Sequence, residues 1–206
     1  MKLKYSKIIL STILTVCFLS VLLLAMYFGT KFWLFSSPFS KKMDWILGLQ
    51  EESYNFSVVI PGKLYRSSVP DEQFLRYVHE KYQIKTIISL SHFEDVHDIA
   101  TELGIRVRLF EWSQKQLPPI NALEYVIDFI DKNNNILLHC QGGSDRTGYT
   151  VAFYRIWRQN WELDQAVEEM VKHRHRPYRK KALHKEIEKL LETDALGKRQ
   201  NVSLAP

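Results

Sequence analysis

The sequence predicts an α/β layer sandwich, a mostly parallel central sheet with helices on both faces. Short apolar runs of strand length, at 84–90 and 136–138, alternate with longer segments whose apolar residues recur at helical spacing, as at 120–132. The strand-like runs are nearly continuous in apolar residues, as strands covered on both faces are. Punctuation is the third observation: Pro61-Gly62, Gly104 and Asn133-Asn134-Asn135 stand where one periodicity gives way to the next. A chain of 206 residues, 46% of them hydrophobic, suits one domain with appendages.

The first element is apolar. Residues 8–28 run without a charge for about 21 residues, the length a helix needs to cross a bilayer. Lys2, Lys4 and Lys7 precede this run, and Tyr27, Phe28, Phe32 and Trp33 supply interfacial aromatics at its far end. An uncleaved anchor is the expected reading. A signal peptide usually has a shorter apolar core and a small-x-small cleavage site, and a core helix usually has a polar face. The expected layout is a cytoplasmic N-terminus at 1–7, a single span at 8–28, a juxtamembrane linker at 29–53, a folded domain at 54–193 and a disordered polar tail at 194–206. The lysine bias favours the domain on the outer, extracytoplasmic side.

Within the domain, 55–60 and 63–67 read as a hairpin turning at Pro61-Gly62. Ser68-Val69-Pro70-Asp71 reads as a helix start with a capping serine, and Phe74, Leu75 and Val78 face inward up to about Tyr82. A strand at 84–90, a loop at 91–95 and a helix at 96–103 ended by Gly104 follow. Residues 105–110 read as a strand and 111–119 as a long polar loop. The helix at 120–132 aligns Leu123, Val126, Ile127 and Ile130 on one face. After the strand at 136–138 come a glycine loop and a helix containing 151–157, then amphipathic helices at 163–173 and 180–191.

The chemistry concentrates in His139-Cys140-Gln141-Gly142-Gly143-Ser144-Asp145-Arg146-Thr147-Gly148. A loop between strand and helix can turn successive N–H groups inward and hold an anion, and the helix N-terminus adds partial positive charge. Cys140 at the bottom of that field is favoured as a thiolate nucleophile. Arg146 offers a planar fork to two phosphate oxygens. The bare Cys-x5-Arg spacing also fits a buried structural cysteine; the glycines, the Thr-Gly and the strand–loop–helix setting favour a phosphate-ester site. Cys17 and Cys140 are the two cysteines, so no disulfide framework exists. The formal net charge of +5 suits anionic ligands, and no nucleic-acid motif is visible.

This stretch resembles the signature loop of the cysteine-dependent protein tyrosine and dual-specificity phosphatases. Residues 56–191 look like a compact bacterial-type dual-specificity phosphatase, and Leu64-Tyr65-Arg66-Ser67 resembles the start of many such domains. The resemblance implies a cysteine-phosphatase-like layer sandwich, a cysteinyl-phosphate intermediate, and neither metal nor cofactor. It implies that Cys140 and Arg146 are catalytic, and that Gln141, Gly142, Gly143, Ser144, Arg146 and Thr147 bind substrate, with Thr147 hydrogen-bonding the thiolate. His139 orients the loop or is a satisfied core histidine. Arg66 lies on a strand surface or supports the loop.

A general acid is needed because an alkoxide or phenoxide leaves poorly unprotonated. Many relatives supply an aspartate from a mobile loop about 30 residues before the cysteine, but the equivalent segment, 111–119, has only Glu111. Asp145 resembles the loop aspartate of myotubularin-type phosphatases and is the expected acid, with Glu111 the alternative. The expected substrate is a phosphorylated protein; a phospholipid or inositol phosphate is the alternative. Neutral Gln141, Gly143 and Ser144 argue against a polyanionic head group. Against that, residues 172–189 hold eight Lys/Arg and two acids, which reads as a solvated helix face or as an anionic-substrate or membrane patch.

Overall fold

The computed structural model describes residues 18–21, 44–91 and 95–202. The chain divides into two compact units, Met1–Gln50 and Glu51–Pro206. Of the expected membrane span, only the helical residues 18–21 are described; the rest of 8–28 lies outside the described residues. Among the described residues no helix is long and apolar enough to cross a membrane.

The second unit carries a five-stranded sheet in the order β1-β2-β5-β3-β4. Strands β1 (Ser57–Ile60) and β2 (Leu64–Ser67) pair antiparallel as the expected hairpin. Strands β3 (Thr86–Ser89), β4 (Arg106–Leu109) and β5 (Ile136–His139) add in parallel, with β5 between β2 and β3. The two-residue period sorts their side chains. Leu64, Ile88, Ile136 and Leu138 join one apolar cluster with α3 (Ile120–Lys132), α4 (Arg146–Gln159), α5 (Leu163–Lys172) and the start of α6 (Lys181–Val202). Tyr65, Ile87 and Leu137, each one register off, are buried outside that cluster. Tyr65 meets Tyr82 of α1 (Glu72–Tyr82) at 5.0 Å between rings, which puts α1 on the opposite face. α2 (Asp95–Glu102) connects β3 to β4.

Two expectations change in detail. The N-cap of α1 is Asp71, whose side chain accepts from Phe74 N at 3.0 Å, and not Ser68. Pro70 disfavours helical backbone at Val69, so the helix starts only beyond it; Ser68 N instead donates to the Tyr54 carbonyl. β4 is an edge strand and is largely exposed. α6 continues past Leu191 to Val202, through the segment read as a tail. That stretch lacks proline and holds helix formers such as Glu192, Ala195, Leu196 and Lys198.

Candidate active site

β5 ends at His139, and Cys140 is the next residue, 2% exposed and free. The helix behind it, α4, begins at Arg146, earlier than the apolar run from Val151 suggested. The loop between is fastened by its carbonyls. Gln141 O accepts from Val69 N at 3.2 Å, Gly142 O from Asn55 Nδ2 at 3.2 Å, and Gly143 O from Arg66 Nη2 at 2.7 Å. Turning a carbonyl outward turns the next amide the other way, because the peptide is planar. The amides from Gln141 to Arg146 donate to no protein group among the described residues. They form the concavity the sequence implied, with the N-terminus of α4 behind it.

Two residues fix this shape. Gly143 has φ +65°, and a Cβ there would lie 2.6 Å from the Ser67 carbonyl carbon and oxygen. Arg66 is fully buried, so the structure assigns it to the loop and not to the strand surface. Among the described residues its Nε and Nη1 are buried without a hydrogen-bond partner, which leaves a cation behind the loop. Burial pushes its pKa down to about 10, against the charges of Glu169 and Cys140, so it remains a cation at neutral pH.

Arg146 is also buried. Its Nη1 donates to the carbonyls of Leu90 at 3.1 Å and Trp112 at 3.2 Å. One arm of the fork is thereby held, and Nε and Nη2 remain for a ligand. Trp112 stacks on Tyr149 of α4, with ring centroids 6.0 Å apart, and ties the 111–119 loop to the helix. His139 is fully buried; burial first, then the Arg146 charge, push it down to about 4 against a hydrogen bond with the Cys140 backbone, so it stays neutral.

A cleft of about 240 Å³ opens over the loop, lined by Gln114, Cys140, Gln141, Gly142, Ser144, Asp145 and Arg146. The structure brings the expected residues together with one exception and one change of role. Gly143 serves as a backbone hinge beneath the lining. Thr147 Oγ1 is buried and makes no hydrogen bond, so the expected bond to the Cys140 sulfur is not formed; burial in the first turn of α4 holds this hydroxyl.

Between the two candidate acids, only Asp145 lines the cleft; Glu111 is exposed and does not. Asp145 Oδ1 lies 2.7 Å from His175 Nδ1, and its Oδ2 lies 3.6 Å from Lys180 Nζ. Burial raises its pKa, but the His175 hydrogen bond and the charge of Lys180 outweigh burial and hold the carboxyl below the usual carboxylate range.

Sequence reasoning missed Asn55, Gln114, Lys180, His175 and His184 as parts of the site. Gln114 donates to Gln141 Oε1 at 3.3 Å, and Lys180 donates to the Gln114 carbonyl at 3.3 Å. The only signal available was the basic, histidine-bearing run at 172–189.

The family model described as the tyrosine phosphatase family matches residues 52–202. The inositol diphosphatase SIW14 of Saccharomyces cerevisiae is 32% identical over 126 residues, 56% of this chain and 43% of that protein. The dual specificity protein phosphatase TpbA of Pseudomonas aeruginosa is 28% identical over 109 residues, 52% of this chain and 49% of that protein. The chain thus spans less than half the length of these curated relatives. A crystal structure of P. aeruginosa TpbA in complex with pTyr superposes with a TM-score of 0.52 at 28% identity, covering 57% of this chain and 72% of that one.

Proposed function

The chain belongs to the tyrosine phosphatase family, and on that footing we propose that it is a protein tyrosine or dual-specificity phosphatase acting through a cysteinyl-phosphate. The observation that carries this reading is the loop, whose carbonyls are fastened outward while its amides are left uncommitted over a buried cysteine. The Cys140 thiolate attacks phosphorus, forming S–P as the P–O bond to the leaving group breaks. The loop amides and the free arm of Arg146 hold the equatorial oxygens as charge builds on them. Asp145 gives the leaving oxygen its proton, then takes one from the water that releases phosphate. Ser144 completes the polar lining. The phosphotyrosine complex of TpbA supports an aryl phosphate substrate.

Activity on inositol phosphates is the second reading. It is favoured by Lys180 at the rim of the cleft and by the likeness to an inositol diphosphatase. Neutral Gln141 and Ser144 at the floor weigh against it. Phosphotyrosine peptides, phosphoinositides, inositol pyrophosphates and phosphatidylglycerophosphate, assayed side by side, separate the two. Phosphotyrosine peptides are expected to turn over fastest, and a preference for the inositol substrates would establish the second reading instead. Cys140→Ser is expected to keep the fold and phosphate binding and to lose turnover, because serine is a far poorer nucleophile at its normal pKa. Residual activity above roughly a few per cent would refute cysteine attack.

Residues 8–28 are proposed as a single-pass anchor that leaves the domain outside the cytoplasmic membrane. Length, lack of charge and the preceding lysines support this. Protease added to intact spheroplasts is expected to digest the domain; a domain that survives is cytoplasmic.

A further inference from the structure

We propose that His175 and His184 form a proton relay that supplies and reclaims the proton of Asp145, ending at Glu188 on α6. The relay deepens the reading above and rests on Asp145 being the acid. Three contacts run in single file. Asp145 Oδ1 lies 2.7 Å from His175 Nδ1, His175 Nε2 lies 3.1 Å from His184 Nδ1, and His184 Nε2 lies 3.1 Å from Glu188 Oε1. Each ring nitrogen of both histidines therefore has one partner. The inner histidine is 1% exposed and sealed from water, while the Glu188 side chain at the outer end is 40% exposed. Two imidazoles in file, joining a cleft carboxylate to a solvent-facing one, are a path along which a proton can pass.

Counting protons fixes the total charge of the resting file. Ionised Asp145 and Glu188 can only accept, so His175 must donate through Nδ1. The last contact needs a proton on His184 Nε2 and the middle contact one proton between the rings; with the charge placed on His184, the more exposed ring, His175 Nε2 accepts from Nδ1–H of His184. At rest the file holds two carboxylates, a neutral imidazole and an imidazolium. Lys180, 3.6 Å from Asp145, is the other charged group facing this end, and Arg174 and Arg176 flank His175 in the chain.

This arrangement resolves a contradiction. Asp145 must deliver a proton, yet its neighbours hold it as a carboxylate. In the first step, S–P forms and P–O breaks. The leaving oxygen takes a proton from Asp145 as His175 Nδ1–H moves to Asp145 and His184 Nδ1–H moves to His175 Nε2. His184 becomes neutral, still donating to Glu188 through Nε2. Asp145 is now a carboxylate without its donor, and so a stronger base. In the second step water attacks phosphorus, O–P forms and S–P breaks. The water proton passes to Asp145, then to His175 Nδ1, and the proton on His175 Nε2 returns to His184. The file ends as it began. His175 and His184 act through Asp145 and are positioning residues.

The test uses the full chain with His184→Gln, His175→Asn and Asp145→Asn. Glutamine and asparagine keep a polar contact but pass no proton. Turnover of phosphotyrosine and of an activated aryl phosphate is measured against pH, and in mixtures of light and heavy water, with thermal melting as a check on folding. His184→Gln and His175→Asn are expected to lower phosphotyrosine turnover about 10–100-fold while sparing the activated substrate, since general acids matter most for poor leaving groups. The basic limb of the pH–rate profile should move to lower pH, and the curved dependence on heavy-water fraction should become linear. Equal losses on both substrates, or an unmoved basic limb, would overturn the relay. If Asp145→Asn shows leaving-group dependence and neither histidine variant does, the relay alone fails. If Asp145→Asn shows none, the acid assignment fails and the relay with it.

Discussion

Gly143 is the residue at which the loop tolerates least. Its φ is left-handed, and the backbone of Ser67 and Ser68 occupies the space a side chain would need. The obstacle is main chain in β2 and its exit, which cannot swing aside as a flexible side chain can. Gly143→Ala is expected to cost about 1–3 kcal/mol of stability, the usual toll of overpacking. It should also weaken phosphate binding, since loop and β2 must part. Urea unfolding and phosphate titration check both; an alanine variant with unchanged affinity would show that the loop can shift without loss. Arg66 works from the same strand by a different means, donating to the carbonyl of the residue whose Cβ is forbidden. Close approach and hydrogen bond thus act on one peptide.

Among the elements, α4 and α3 show how burial tracks the sequence. α4 is buried on nearly every side, from Arg146 to Trp157, because α5 and α6 cover it beyond the sheet. Arg155 ties it to α5 through a two-pronged contact with Glu169, at 3.0 and 2.9 Å, while stacking on Trp161 at 4.2 Å. α3 has the ordinary amphipathic pattern, with Leu123, Val126, Ile127 and Ile130 buried. Leu123→Ala should therefore destabilise the domain by about 2–5 kcal/mol, the range for a lost core leucine. Tyr125→Ala, two residues on and 53% exposed, should stay within about 0.5 kcal/mol. Chemical denaturation of the two variants is the check, and similar losses would mean that the helix packs on another face. The bounds 120–132 were legible because four apolar residues at helical spacing sit between Pro119 and an asparagine run. β5, the loop and α4 were legible for another reason: the nucleophile, the glycines and the arginine are contiguous. Asn55, His175 and His184 were not. Asn55 reaches Gly142 across 87 positions and His175 reaches Asp145 across 30, and a single sequence carries no sign of such pairings.

For the whole molecule, buried His139 and half-buried His173 contribute to the acid response. Burial is the first cause that moves His139 and His173 from 6.5 to about 4, with nearby arginine charge adding to it. Between those values the unfolded chain takes up protons that the fold excludes. Stability should therefore be full above about pH 6.5 and fall as pH drops toward about 4, at up to about 1.4 kcal/mol per unit for His139 and less for His173, which solvent screens. Denaturation midpoints measured from pH 7 to 4.5 that do not change would show that both rings accept protons in the folded state.

The outward fastening of the loop carbonyls has a consequence for exchange with deuterated water. The amides from Gln141 to Arg146 lie beside some of the most buried residues of the domain, yet among the described residues no protein acceptor holds them. They should trade hydrogen for deuterium quickly while β5 and α4 on either side remain slow. An oxyanion such as orthovanadate supplies the missing acceptors and should slow this one stretch, leaving its neighbours unchanged. A short fast-exchanging window between two protected elements would thus report whether the cradle is filled, without any turnover being measured.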